Sequence, residues 1–311
     1  RKGTDLIGPL KGNEKRKPNL RLRAHNGQAR IAERRKQWDQ AEQFLAQLVK
    51  ERPDDASYVQ RLGIALFMQD KHAYADKAFQ KARKSDAKLA RPEVTEARLY
   101  HQQGKDTEAK KLFEKAMAAD SKDAGSKLAY AQWLLEMNQP AEAKLQLDAV
   151  LAKDPTSRDA LLLAGLTATI QKEYVAAQKY LERAHLLAPA NASITNHLAL
   201  ALVAQDDDMK RRRAGDFASL GVAKNPKNGD LNATLGWIYY KLGRTAEADQ
   251  RLNAAIKTGT LSPDSRYLIA QIFFDRGRNA PAKQLLQPVI ETRRIFVYRQ
   301  EAKRLLDRLQ D

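Results

Sequence analysis

Residues 229–262 read GDLNATLGWIYYKLGRTAEADQRLNAAIKTGTLS. Within this stretch Leu235, Gly236 and Tyr239 fall at helical spacing, Gly243 breaks the run, and Ala248, Leu252 and Ala255 resume it. A glycine between two amphipathic runs marks the end of one helix and the turn into the next. The stretch therefore predicts a helical hairpin, and the question becomes whether the rest of the chain repeats it.

It does, at a step of 34. Ala41, Ala75, Ala109, Ala143 and Ala177 form one column, which Ala214, Ala248 and Ala282 continue after three extra residues. Twelve residues upstream lies a second small column: Ala29, Gly63, Ala97, Ala131, Gly165, Ala199, Gly236 and Ala270. Four residues after the alanine comes an apolar column of Leu45, Phe79, Phe113, Leu147, Leu181, Ala218, Leu252 and Leu286. Two small columns are what antiparallel helices need where their backbones approach closely, and the larger column supplies the ridge that fills the groove. Gly104, Asn138, Gly243 and Gly277 close first helices, while Pro53, Pro155, Pro189 and Pro226 sit beyond second helices. No useful length alternates with a period of two, so the expected fold is all-α.

These columns resemble the tetratricopeptide repeat family, whose 34-residue unit carries small residues at its eighth and twentieth positions and proline near its thirty-second. On that resemblance units fall at 22–55, 56–89, 90–123, 124–157, 158–191, 192–228, 229–262 and 263–296, preceded by a basic, extended arm at 1–21. Residues 297–311 then read as a capping helix with Tyr298, Ala302, Leu305, Leu306 and Leu309 on one face. His25 and Gln28 stand where the family prefers apolar residues, which predicts an irregular first helix or one shielded by the arm. The resemblance implies a right-handed superhelical α-solenoid with first helices lining its concave side.

Composition narrows the function classes. With 43% hydrophobic residues the chain buries a large apolar surface, and its longest apolar run, Leu161 to Ile170, is about half the length a membrane span needs. The absence of cysteine excludes disulfides, thiolate metal sites and a Cys nucleophile. The five histidines, His25, His72, His101, His185 and His197, are scattered without metal-ligand spacing. No phosphate loop, nucleophile elbow or kinase signature occurs, and no catalytic group can be named outside the repeat columns. Asp206, Asp207 and Asp208 read as a helix cap ahead of Lys210 to Arg213 rather than a cation site. The expectation is a non-enzyme with no metal and no cofactor.

The resemblance implies that the second, fifth, ninth and twelfth positions of each first helix face a groove where peptides bind. In the last two units these give Asp230, Ala233, Trp237 and Tyr240, then Asp264, Tyr267, Gln271 and Phe274, with Lys241 adjacent. Trp237, Tyr240, Lys241, Tyr267, Gln271 and Phe274 make an aromatic patch of hot-spot composition. Leu128, Leu135, Leu162 and Leu166 line the middle units, and Arg91 and Arg98 make the third unit basic. Some co-chaperone members grip a terminal carboxylate with Lys, Asn and Arg at fixed positions; the nearest fragment here, Asn196 with His197, lacks the partners.

The chain carries a net charge of +17, and residues 1–36 hold twelve Lys or Arg against three acidic residues. Lys11, Lys15, Arg16, Lys17, Arg21 and Arg23 make this segment a candidate for an acidic partner, an anionic membrane surface or, through its charge, nucleic acid. The first thirty-seven residues contain no aromatic to stack on bases. The leading expectation is a protein–protein interaction scaffold that holds a partner segment and supports assembly of a larger complex, with nucleic-acid association through the arm as the alternative. The composition reads as bacterial, and bacterial relatives of such repeats work in secretion, appendage or outer-membrane assembly, which points to periplasm or envelope. The opening Arg1 fits removal of an export signal and a trimmed chain equally.

Overall fold

The computed structural model describes residues 17–310, with side chains from Asn19 onward. These form seventeen α-helices and no strand. In chain order they are α1 (Lys17–Arg34), α2 (Trp38–Glu51), α3 (Ala56–Phe67), α4 (His72–Ser85), α5 (Pro92–Gln102), α6 (Asp106–Ala119), α7 (Ala124–Glu136), α8 (Pro140–Lys153), α9 (Arg158–Ile170), α10 (Tyr174–Leu187), α11 (Ala192–Val203), α12 (Asp208–Lys224), α13 (Gly229–Lys241), α14 (Thr245–Lys257), α15 (Pro263–Asp275), α16 (Asn279–Leu286) and α17 (Arg299–Arg308). The architecture is an all-α repeat solenoid. The chain divides into two compact units, one ending at Ser126 and the other beginning at Lys127.

In the first unit α1 packs on α2, α3 on α4 and α5 on α6, with α2–α3 and α4–α5 contacts joining the hairpins. In the second, α9 packs on α10, α11 on α12, α13 on α14 and α15 on α16, and the odd-numbered helices also touch one another along α9, α11, α13 and α15. The small columns are the reason. A Cβ placed on Gly63 would lie 2.5 Å from a ring carbon of Phe79, and one on Gly165 would lie 2.5 Å from Leu181 Cγ. At Gly236 it would meet Leu252 Cδ2 at 2.8 Å. The ridge residue of each second helix thus presses on the backbone of its own first helix, and every alanine of the first column is fully or almost fully buried.

A second repeated device turns the chain between the two helices of a hairpin. Lys36, Asp70, Gly104, Asn138, Lys172, Gly243 and Gly277 all have positive φ, and they stand in one column of the repeat. The N–H after each donates to the carbonyl five residues back, as in Gln37 to Ala32 at 2.9 Å and Glu173 to Ala168 at 2.8 Å. This is the Schellman closure, which satisfies the orphan carbonyls of a helix end. Only the hairpin with the three-residue insertion departs: there Asp207 caps α12 by accepting from Lys210 N–H at 3.0 Å, and Arg211 holds Asp206 and Asp208.

Three expectations are corrected here. Helix α1 is continuous, and it begins at Lys17, so the last five residues of the stretch expected to be extended are helical. Leu22, Ala29 and Ala32 bury one face of it, and His25 stacks on Phe44 with centroids 6.3 Å apart, so the polar substitutions are absorbed without a break. In the last hairpin α16 ends at Leu286, two residues before Pro288, which has no N–H to donate to the preceding turn. Residues 287–298 then run as turns, gathered by the Arg299 guanidinium on the carbonyls of Ile290, Thr292 and Arg294 at 3.1, 2.7 and 3.0 Å. Helix α17 packs on α15 and α16 with Ala302, Leu305 and Leu306 buried beside Phe296 and Leu286. Lys11, Lys15 and Arg16 lie outside the described residues, as does the side chain of Lys17.

Two outcomes test this account. Gly165→Val forces branched carbon onto Leu181, and thermal or urea unfolding is expected to show a loss of roughly 1–3 kcal/mol. Lys36→Gly removes the cost of a left-handed non-glycine residue, and the same measurement is expected to show a gain of about 0.5–1 kcal/mol.

Candidate functional site

The residues expected to form a groove separate into three groups. On α5, Arg98 is exposed, and Arg91 is partly buried with its Nε 3.6 Å from Glu93. On α7 and α9, Leu135 and Leu166 are 1% and 7% exposed, so both belong to the packed interior rather than to a lining. They are corrected to core residues, because the close spacing of neighbouring helices leaves them no open side. Leu128 and Leu162 keep partial exposure.

The third group, on α13 and α15, is drawn together. Trp237 is partly buried between two apolar clusters of the second unit, and its ring lies 6.0 Å from that of Tyr240. Lys241 Nζ sits 4.7 Å from the Trp237 ring centroid. Tyr240 donates its hydroxyl to Asp275 Oδ2 at 2.9 Å, and Gln271 donates its amide to Asp275 Oδ1 at 2.7 Å. Tyr267 reaches Gln271 at 3.4 Å but is itself 8% exposed and stacks on Tyr298 with centroids 5.1 Å apart. Tyr267 is thus corrected from groove to core. Phe274 lies under the Arg308 guanidinium at 4.4 Å, and Arg276 covers Tyr240 at 5.6 Å. Burial and the Asp275 carboxylate both raise the Tyr240 hydroxyl above its ordinary pKa, so it stays a donor.

Asp275, Arg276 and Arg308 complete this patch, and sequence reasoning passed over all three. Asp275 stands four residues after Gln271 on α15, a legible spacing; Arg308 arrives from the terminal helix, which no repeat position specifies. The network is a fixed aromatic and amide surface with hydrogen-bonding capacity on both sides. Among the described residues no cluster of histidine and carboxylate side chains is placed to hold a metal ion, and no helix is long and apolar enough to cross a membrane.

A cleft of about 300 Å³ opens where α11, α13 and α15 begin, lined by His197, Asp230, Thr234 and Asp264 among others. Asp230 accepts from Ser262 N–H at 2.8 Å and Asp264 from Tyr298 N–H at 3.2 Å. Burial pushes Asp264 up to about 7, aided by the charge of Asp230 and opposed by the Tyr298 and Val297 N–H groups and by Arg299. Burial pushes His197 down to about 4, with Asp230 opposing.

Models of the tetratricopeptide repeat match residues 27–55, 100–166 and 234–287. A tetratricopeptide repeat protein from Parabacteroides merdae superposes with a TM-score of 0.54 at 12% identity, over 94% of this chain and 99% of its own. A thermophilic tetratricopeptide repeat protein from Thermus thermophilus gives a TM-score of 0.50 at 17% identity, over 60% of this chain and 98% of its own. At these identities the likeness is one of fold. No curated protein matches the chain.

The raised and lowered pKa values make a signed prediction. Folded Asp264 holds its proton up to about pH 7, whereas the unfolded carboxyl loses it near 4, so its contribution to stability falls as pH rises through that window. His197 works the other way between about 4 and 6.5, where the unfolded chain binds the extra proton. Asp264→Asn keeps an oxygen for Tyr298 N–H and removes the charge. Its melting temperature is expected to exceed the parent's at pH 8, by a stability gain on the order of 2 kcal/mol, and the gain is expected to shrink at pH 5.

Proposed function

As the chain is a tetratricopeptide repeat protein, we propose that it is a non-catalytic protein–protein interaction scaffold whose α13–α15 face holds a segment of a partner and so helps assemble a larger complex. The observation that carries this reading is the cluster of Trp237, Tyr240, Gln271 and Phe274, all partly exposed, with Tyr240 and Gln271 tied to each other through Asp275. Large rigid rings that need no ordering on binding, beside amide and carboxylate groups that orient a backbone, have the composition of an interface hot spot. Leu128 and Leu162 extend the proposed contact to other first helices of the second unit, and Arg91 with Arg98 offers a basic contact on the first unit by itself. The bacterial envelope is the proposed setting, on composition alone.

The test is affinity capture from the native source. The parent chain is expected to recover a defined protein, and Trp237→Ala combined with Lys241→Glu is expected to lower that recovery at least tenfold, as loss of a hot spot implies. Since Trp237 also supports the core, Lys241→Glu alone and a melting curve separate lost binding from lost fold. A chain lacking residues 1–16 is the proper control for the arm, because Leu22, Ala29 and Ala32 of α1 are core. Recovery that ignores the two α13 changes would overturn the reading. Recovery of nucleic acid that vanishes with residues 1–16, and that weakens steeply with salt, would put the basic arm in its place.

A further inference from the structure

The cleft at the start of α11, α13 and α15 is unusual for this chain. In a protein with 55 Lys and Arg, none of its lining residues is cationic, while two carboxylates face it. Its floor is apolar, formed by Leu200, Leu231 and Leu268.

The rim is partly committed on its donor side. Asn191, Asn228 and Ser262 cap the three helices with their own side chains, accepting from Ile194, Leu231 and Ser265 N–H groups at 3.1, 3.1 and 3.2 Å. One of the free N–H groups at each helix start is therefore taken. The acceptor side, in contrast, is in surplus. Thr234 is 1% exposed and its hydroxyl has no hydrogen-bond partner; Asn196 Oδ1 is likewise buried and unpartnered. A buried polar atom without a partner is unfavourable, and an arriving donor relieves it. The two carboxylates cannot swing out to meet surface lysines, because backbone N–H groups of Ser262 and Tyr298 hold them at 2.8 and 3.2 Å.

We propose that this cleft is a subsite for a primary ammonium or guanidinium group, received between Asp230 and Asp264 with Asn196 and Thr234 accepting its remaining N–H bonds. A planar guanidinium matches fixed carboxylates with paired, directional donors, and an ammonium supplies three. The volume exceeds that of the charged head alone, so the methylene stem rests on the leucine floor. The proposal refines the scaffold reading and rests on it for one source of the cation, an Arg or Lys side chain of the partner segment; a free amine or polyamine carries the same chemistry.

The experiment follows leucine methyl resonances of the full chain, where Leu200, Leu231 and Leu268 report on the cleft floor. N-acetyl-arginine amide is expected to shift these methyls saturably, and N-acetyl-citrulline amide, its uncharged isostere, at least tenfold less tightly. Asp230→Asn with Asp264→Asn is expected to weaken the arginine probe at least tenfold, while Asp216→Asn, exposed on α12, leaves it unchanged. Thr234→Val, without any charge change, is expected to weaken it severalfold, and this second variant guards against a double variant that fails to fold. Equal binding of citrulline, shifts confined to methyls elsewhere, or tighter binding of inorganic phosphate overturns the proposal. A blocked Ala-Ala-Arg-Ala-Ala peptide binding tenfold more tightly than agmatine or spermidine assigns the cation to a partner's side chain; equal affinities assign it to a free amine, and both outcomes uphold the subsite. Arginine binding lost with Trp237-dependent capture intact sinks this inference alone, whereas the reverse result sinks the groove and leaves the subsite.

Discussion

Three hairpins close on a contact that leaves no room for a side chain, and the other five carry only a methyl group at that position. Where Leu181 meets Gly165 and Phe79 meets Gly63, an added β-carbon would come within 2.5 Å of the facing residue, so the two helix axes are set by backbone against ridge. Alanine or glycine at both small columns, and an apolar ridge four residues on, therefore fix hairpin geometry one unit at a time. Stability accrues hairpin by hairpin and from each hairpin's neighbour, as nearest-neighbour arrays require. Because the contact consumes the facing sides of both helices, only their outward positions and the ends of hairpins are left for anything else.

That constraint explains why the fold was legible in the sequence. A close approach tolerates few residue types, so it writes two columns, Ala29 to Ala270 and Ala41 to Ala282, that keep a step of 34 apart from one three-residue insertion. The turn is just as regular in space but far less so in letters. Lys36, Asp70 and Lys172 adopt the same left-handed conformation as Gly104 and Gly243. Their intrinsic cost, about 1–2 kcal/mol each, is small enough for the packing of a finished hairpin to override, so the column is invisible until the dihedral angles are seen. The end of the array was the least legible part. Pro288 stops α16 early, and the turns that follow are gathered by a single buried guanidinium that no repeat pattern announces.

The candidate site was legible by face and not by depth. Position in the unit placed Trp237, Tyr240, Gln271 and Phe274 on one side of α13 and α15, and the structure joins Tyr240 to Gln271 through Asp275 and sets Trp237 beside Tyr240. The same rule placed Tyr267 and Leu135 on that side, yet both are buried, Tyr267 because Tyr298 stacks on it. A repeat position states which way a residue points within an ideal unit; what arrives from the next element decides whether it meets solvent. For Asp264 the arriving element is again the terminal one, whose Tyr298 N–H anchors the carboxylate where packing strips part of the water from its charge.

The distribution of charge in the second unit bears on what the protein can recognise. Lys241, Arg244, Arg276, Arg278 and Arg308 each lie over an aromatic ring, on Trp237, Tyr239, Tyr240, Phe273 and Phe274 respectively, at 4.7, 4.3, 5.6, 4.3 and 4.4 Å. Each such contact at an exposed site is worth about 0.5–1 kcal/mol and orients the cation along the ring face. These charges are not a loose cloud waiting for phosphates; drawing one away uncovers an aromatic surface. Carboxylates without a neighbouring Lys or Arg in the wall mark the cleft at the helix starts, where Asp230 and Asp264 are held by backbone N–H groups. One end of α13 and α15 thus presents oriented cations beside aromatic rings, and the other presents carboxylates held by backbone N–H groups. In the scaffold role proposed above, that arrangement would give a bound segment a direction along the helices, which a purely apolar groove cannot enforce.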